Sequence, residues 1–316
     1  MNRIKIFHAC DMHGSEVIWK KILKTSIHYG VNVIMMCGDL TGKAIVPIIK
    51  REGEWYYALG DRKGTIHTQS ELEKVKHSIR EKGYYVIEVT PKELEELKSS
   101  KAKEHELFVN LMKTTLTEWL NMVNDSVPKD VTVVVNPGND DFFEVDEIIK
   151  QHERVIYPLK RVIEIGDYSM ISCEYVNPTP WNTPRELPES ELRKALEREF
   201  EKVKNSERLI CNFHAPPYDT HLDMAPKLDK NWKPVTHFGA PVMEHVGSKA
   251  VKDFIMDHQP LIGLHGHIHE SCAYQKLGRT LCLNPGSEYR FGILRGYVIE
   301  LPSSPGEEIN FWRVEV

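Results

Sequence analysis

Long apolar runs are missing from this chain, and their absence removes the first class of function. No stretch approaches the roughly 20 consecutive apolar residues a membrane-spanning helix needs. Met1 to Cys10 is one short strand-like segment that leads straight into polar residues, so neither an anchor nor a secretory leader is expected. Cysteine is sparse as well. The six thiols (Cys10, Cys37, Cys173, Cys211, Cys272 and Cys282) form no Cys-x-x-Cys pair, and four lie inside apolar runs. That pattern argues against a disulfide framework and for a reduced, cytoplasmic protein. A basic stripe is also lacking. With 41 Lys and Arg against 46 Asp and Glu, the formal net charge is −5, which counts against nucleic acid as a partner. Short basic runs such as Lys20-Lys21 with Lys24 read as solvated helix faces. There is no internal repeat and no low-complexity tract, so residues 1–316 are expected to form one domain with a substantial core.

What is present is a set of apolar runs that all stop at ligand-type residues. Ile4 to Phe7 reads as a strand leading to Asp11-Met12-His13. Val31 to Cys37 is a continuous apolar run, as expected of a strand buried on both faces, and it ends at Gly38-Asp39. The β-branched run Val131 to Val135 ends at Gly138-Asn139-Asp140-Asp141. Leu209 to Phe213 ends at His214, and Pro260 to Leu264 ends at His265-Gly266-His267-Ile268-His269. Helical patterns separate most of these runs, for example Glu16 to His28 and Ser248 to His258. Alternating strands and helices predict a largely parallel sheet, whose carboxyl-edge loops converge on one crevice. Dispersed Asp, His and Asn residues would then meet in space.

Further strands are expected as a hairpin over residues 156–173, and near Thr280 to Leu283, Gly296 to Leu301 and Asn310 to Val314. The last three look antiparallel and are expected to form a second sheet packed on the first. Residues 43–129 are long for a crossover. A helical pattern runs from Ser70 to Lys82, and another from Pro91, well placed at a helix start, to Val123. This segment is read as a helical insertion that covers the sheet, with a wall of the active site or a contact between copies of the chain as the functional alternative.

Oxygen and imidazole ligands without thiolate suit two divalent ions, and among Mn, Fe, Zn and Ni the sequence does not choose. Such a centre needs a carboxylate shared by both ions and open positions for water and substrate; it activates a bridging hydroxide and neutralises phosphoryl oxygens. Any one Asp-x-His or Gly-Asp is weak evidence, but five such elements in order, each after a strand, point to a metal centre.

The residues Asp11-x-His13, Gly38-Asp39, Gly138-Asn139-Asp140-Asp141, His214 and Gly266-His267-x-His269 resemble the signature of calcineurin-like metallophosphoesterases. The segments His214 to Thr220, Gly247 to Ala250, Gly266 to Glu270 and Asn284 to Ser287 are similar to those of the Icc-related phosphoesterases within that group. The resemblance implies an α/β fold, a four-layer αββα sandwich of two mixed sheets. It implies one metal held by Asp11, His13 and His269, another by Asn139, His214 and His267, and Asp39 as the bridge. Asp39, Asn139, Asp140 and His214 would be catalytic, and the substrate a small or nucleotide-like phosphate mono- or diester. A nuclease, or a metal-binding scaffold that lost turnover, are the competing readings. His8, His28, His67, His77, His105, His152, His237 and His258 match nothing and are read as ordinary.

One position departs from the family pattern. Where the family carries a histidine thought to protonate the leaving group, this chain has Asp140. A carboxyl with an ordinary pKa near 4 is ionised at pH 7 and cannot donate a proton. Its pKa is raised, another group such as His221 serves, or the leaving group needs no acid. Two loops stand out as shaping a pocket: Asn177 to Arg185, rich in proline, and Asn284 to Arg290. Arg185 or Arg290 could clamp a phosphate; loop rigidity and surface salt bridges are the alternative.

Overall fold

The computed structural model describes residues 3–60, 62–303 and 307–316; residues 1, 2, 61 and 304–306 lie outside the described set. Two mixed sheets pack face to face. The first has the strand order Asn310–Glu315, Arg295–Glu300, Lys5–Ala9, Val33–Cys37, Thr132–Asn136. The second runs Ala273–Leu277, Thr280–Asn284, Ile262–Leu264, Leu209–Phe213, Tyr168–Cys173, Ile163–Ile165.

Period-2 side-chain alternation explains why there are four layers. Ile6, Val33, Met35 and Val134 of the first sheet meet Met170, Ile210, Leu264 and Leu283 of the second in a central core. The residues between them point the other way. Phe7, Ile34 and Met36 pack under helices Glu16–Leu23 and Lys101–Ser126. Ile171, Cys211 and Phe213 pack under Glu189–Phe200 and Lys249–His258. Fully burying each such side chain contributes roughly 1.5–3 kcal/mol. With both faces covered, these strands read as continuous apolar runs. The expected αββα sandwich is therefore the observed architecture.

Several expectations need correction. The late strands do not make a sheet of their own. Thr280–Asn284 lies parallel to Ile262–Leu264 in the second sheet. Arg295–Glu300 pairs antiparallel with Lys5–Ala9 and carries Asn310–Glu315 outward, extending the first sheet. The ligand-bearing strands are likewise split, three in the first sheet and two in the second. The helix expected from Glu16 to His28 is two helices, Glu16–Leu23 and Thr25–Tyr29, divided at Lys24.

The insertion is not wholly helical. Besides helices Gln69–Glu81, Pro91–Lys98 and Lys101–Ser126, it holds a four-stranded mixed sheet ordered Arg62–Ile66, Glu54–Leu59, Ile45–Arg51, Tyr85–Val89. One face of that sheet buries Val46, Ile48 and Ile66 against Leu72 and Ile79 of the first of these helices. The other face is partly covered, with Tyr85 buried and Ile45 packed against the core that Lys101–Ser126 also joins, and the exposed charges Lys50 and Arg51 lie at the strand end. Pro47, a residue that normally weakens a strand, lies just outside the register with Glu54–Leu59, whose first pair is Ile48 with Tyr57.

No helix among the described residues is long and apolar enough to cross a membrane. The six cysteines are free.

Candidate metal centre

Every ligand-bearing loop leaves the carboxyl end of a parallel strand, and the loops are stitched together by backbone hydrogen bonds. Asp11 N–H donates to Gly38 C=O (3.0 Å), His13 N–H to Asp39 C=O (2.9 Å) and Gly266 N–H to His214 C=O (3.0 Å), the last joining two strand ends of the second sheet. Asp141 is the clasp beneath. Its buried carboxylate accepts from the N–H groups of Leu40, Thr41 and Gly138 and from the Thr41 hydroxyl (2.7–3.1 Å), locking the Asp39 loop to the Asn139 loop. Four of the expected ligands, Asp11, His13, Asp39 and His267, have φ between +41° and +68°. Non-glycine residues rarely adopt that left-handed region, and its cost is sustained where the surroundings over-determine it, typically at functional sites. Gly38 (φ +101°) and Gly138 are required by proximity. A Cβ on Gly38 would lie 2.3 Å from His214 Nδ1, and one on Gly138 would lie 2.2 Å from Asp39 Oδ1.

The side chains gather in three groups. Ligand atoms of Asp11, His13 and His269 all lie within 4.8 Å of one another, as do those of Asp39, His214 and His267, and a third group of His13, Asp39 and Asp140 links the two. His13 Nε2 and His269 Nε2 approach to 2.9 Å, and His269 Nε2 is 3.6 Å from Asp11 Oδ1. Asn139 Oδ1 lies 3.0 Å from His214 Nε2, so it joins the second group. Asp39 faces both groups, with Oδ1 3.4 Å from His214 Nε2 and Oδ2 3.6 Å from His13 Nε2. The seven residues expected from sequence are thus brought together.

The electrostatics suit a cation. Burial would raise the Asp11 carboxyl, but His269, His214 and His13 outweigh it and hold it well below the carboxylate range. Burial, with Asp140 and Asp11 nearby, pushes Asp39 up, although His214 pulls against it. Burial together with Lys43 and His269 holds His13 far below the usual histidine value. His267 is likewise pushed down to about 3 by burial and by His214, so both rings are neutral and carry a free lone pair. His214 resists burial because Asp39 and Asp11 raise it well above the ordinary value. Its Nδ1–H donates to Cys37 C=O at 2.7 Å, which aims Nε2 into the centre. Buried His13 Nδ1 has no hydrogen-bond partner. The neutral imidazoles of His13 and His267, a His214 ring whose Nε2 proton a metal would displace, buried carboxylates and an amide oxygen fit divalent ions of the borderline type.

Behind the centre lie two more histidines, both read from sequence as ordinary or left unassigned. His8 Nε2–H donates to His265 C=O (2.9 Å), and His265 Nδ1–H is shared by the carbonyls of Phe213 and Ala215. Both rings are pushed down to about 4, chiefly by burial. They hold the cross-sheet framework and reach none of the ligand groups.

Asp140 sits at the mouth. Its N–H donates to Asp39 Oδ1 (2.9 Å), and its Oδ2 lies 2.6 Å from Lys43 Nζ and 3.7 Å from His13 Nδ1. Lys43 was not singled out in the sequence. Burial opposes its charge, but Asp140 and Asp39 raise its pKa above the ordinary lysine value, so it is a cation. The one available signal was position, since Thr41-Gly42-Lys43 continues the Asp39 loop. Tyr289, within the loop Asn284 to Arg290 expected to shape a pocket, places its ring 4.9 Å from that of His13 and 5.9 Å from that of His269. Exposed Arg290 donates from Nε to the Tyr289 hydroxyl, so it remains at the rim.

Two candidate residues are placed elsewhere. Arg185 is fully buried, with Nε and Nη2 donating to the carbonyls of Asp141 and Phe142 and Nη2 to Asp146 Oδ1 at 2.7 Å. It supports the Asn139 loop and has no free face for a phosphate. His221 is exposed and lines a separate open cleft of about 500 Å³ with Cys272, Tyr274 and Arg313, outside the ligand groups.

No family model matches the chain. An uncharacterized protein of Methanocaldococcus jannaschii is 33% identical over 161 residues, a stretch covering 50% of this chain and 66% of that protein, slightly under two thirds of its length. One solved crystal structure superposes with a TM-score of 0.58 at 13% identity over 99% of both chains, a likeness of fold alone. A protein of Thermus thermophilus (TM-score 0.48, 13% identity, 93% and 94% coverage) and a solved chain described as an archaeal phosphodiesterase (0.40, 10%, 99% and 100%) superpose too loosely to bear on this chain's chemistry.

Proposed function

We propose that this chain is a metal-dependent phosphoesterase of the calcineurin-like kind, hydrolysing a phosphate mono- or diester at a centre of two divalent ions. The observation that carries the reading is Asp39, a buried carboxylate with one oxygen toward each of two histidine groups. Asp11, His13 and His269 would hold one ion and Asn139, His214 and His267 the other, with Asp39 serving both. Ions bound there supply positive charge for the phosphoryl oxygens and acidify a water to serve as nucleophile.

The chain's own groups do the rest. Asp141 fixes the spacing of the Asp39 and Asn139 loops, and the Cys37 carbonyl fixes the His214 tautomer. The Lys43 ammonium, held by Asp140, faces the mouth, where it meets a phosphoryl oxygen carrying negative charge. Asp140 is paired with that cation. No imidazole stands at its position to protonate the leaving group, so esters with good leaving groups are favoured. The free thiols support a cytoplasmic setting.

The test is an activity panel of bis-p-nitrophenyl phosphate, p-nitrophenyl phosphate and cyclic nucleotides on chelator-treated protein with Mn, Ni, Fe or Zn restored. Hydrolysis that appears with metal and vanishes with chelator is expected. No hydrolysis with any metal would sink the reading.

A further inference from the structure

Beside the candidate centre stands an aromatic pair that its chemistry leaves unused. Trp181, in the proline-rich loop, and Trp232, in the arm between Met224–Pro226 and Met243–His245, bring their ring centroids to 6.2 Å with the planes inclined by 31°. Both stay more than half exposed, at 65% and 56%. Tryptophan is highly buried on average, so two of them meeting in solvent from separate segments need a reason.

Both segments are held in place. Glu186 accepts from the backbone N–H groups and the hydroxyls of Thr179 and Thr183. Asp229 Oδ1 accepts from the N–H groups of Asn231 and Lys233 (2.7 and 3.0 Å). Asn182 (φ +50°) and Trp232 (φ +62°) lie in the left-handed region, a strain that persists only where the surroundings impose it.

The pair is also tied to the centre. Asn139 Nδ2 donates to Thr183 Oγ1 at 2.9 Å, while the same amide's oxygen faces His214. Trp181 is two residues from Thr183, so their Cα atoms are no more than about 7 Å apart. Exposed Lys230 and Lys233 flank Trp232, adding positive charge to the same rim.

We propose that Trp181 and Trp232 form a stacking platform for the base of a nucleotide-like substrate whose phosphate reaches the candidate centre. The proposal rests on the phosphoesterase reading and adds the substrate class. An aromatic face accepts any base because every base has a π-face. A base without its phosphate would forgo the lysines and the centre.

The experiment titrates the metal-loaded chain by calorimetry with two non-hydrolysable ligands, the 5′-phosphonates of adenosine and of ribose. The pair differs only in the base. Wild type, Trp181→Ala, Trp232→Ala and the double variant are compared, with near-ultraviolet circular dichroism to confirm folding and sedimentation velocity to record the assembly state. The adenosine compound is expected to bind about 10- to 100-fold more tightly than the ribose compound, as stacking on aromatic side chains implies. The double variant should lose that advantage while the ribose compound keeps its affinity. Equal binding of the two by wild type, or an advantage that survives in the double variant, overturns the proposal. So does a dimer that dissociates in the double variant without any base preference, which would assign the pair to an interface between copies. A base advantage without hydrolysis of any ester would sink the phosphoesterase reading and leave the platform standing.

Discussion

Replacing Asp39 by Asn separates charge from shape at the point where the two ligand groups meet. Asparagine is nearly isosteric and keeps an oxygen to accept the Asp140 N–H, now bonded at 2.9 Å. Two unit charges about 4 Å apart are worth about 4 kcal/mol at an effective dielectric of 20, and a divalent ion doubles that, so cation affinity should fall by at least about 10³-fold. At a metal concentration about 1,000 times the wild-type Kd, a variant left largely unloaded forgoes about 4 kcal/mol of ligand-derived stability. For 316 residues unfolding with about 2.1 cal/mol/K of entropy each, that is about 6 °C in Tm.

Without metal the sign reverses. The Asp39 carboxyl is raised by burial, with Asp140 and Asp11 beside it, so the native state binds more protons than the unfolded chain, and stability falls as pH climbs through the raised pKa. Asparagine removes that penalty, and the metal-free variant should melt no lower than wild type at pH 7. Differential scanning fluorimetry with chelator and with Mn, alongside the rate on bis-p-nitrophenyl phosphate, measures both effects. A variant that keeps the wild-type metal shift and more than a few per cent of the rate would refute the idea that Asp39 serves both ions.

Other perturbations have distinct signatures. Lys43→Met should leave metal content intact and lower kcat/KM on p-nitrophenyl esters by about 10²–10³-fold, the usual cost of losing one preorganised electrostatic contact; a change under threefold would remove Lys43 from the reaction. His8 is held near pKa 4 in the fold against about 6.5 unfolded, so its contribution is complete above pH 6.5 and lost as pH falls toward 4, at up to about 1.4 kcal/mol per pH unit. His8→Gln should therefore flatten the urea-unfolding pH profile of the metal-free protein between pH 6.5 and 4, and an unchanged slope would show that the ring does not titrate there. Arg185→Met should cost about 3–5 kcal/mol of stability by leaving half-buried Asp146 and buried Glu174 without their cation. Competitive inhibition by phosphate should be unaltered in that variant, and a large loss of phosphate affinity would return Arg185 to the role of clamp.

The parts of this protein that were legible in its sequence are those encoded locally. A strand covered on both faces writes itself as a continuous apolar run, as Val33–Cys37 does, and the residue at its carboxyl end is fixed by chain direction. That is why Asp11, Asp39, Asn139, His214 and His267 could be gathered before any coordinates. Sheet membership is not local. Arg295–Glu300 pairs with Lys5–Ala9 across almost the whole chain, and nothing in either segment names the other. The inserted sheet was not legible because its first hairpin ends in Lys50, Arg51 and Glu54, which mimic loop composition. Arg185 was left between two roles and Lys43 was missed for one reason: an isolated cation in a loop does not reveal whether its partners, here Asp146 and Asp140, lie beside it.

The central claim is that one chain holds two ions across Asp39. It is tested most directly by stepwise loading of chelator-treated protein with Mn, counting bound metal by elemental analysis after gel filtration and recording the rate on bis-p-nitrophenyl phosphate at each step. The account predicts saturation at two ions per chain, with the rate appearing as the second is taken up. Saturation at one ion or none, or a full rate in metal-free protein, would contradict it.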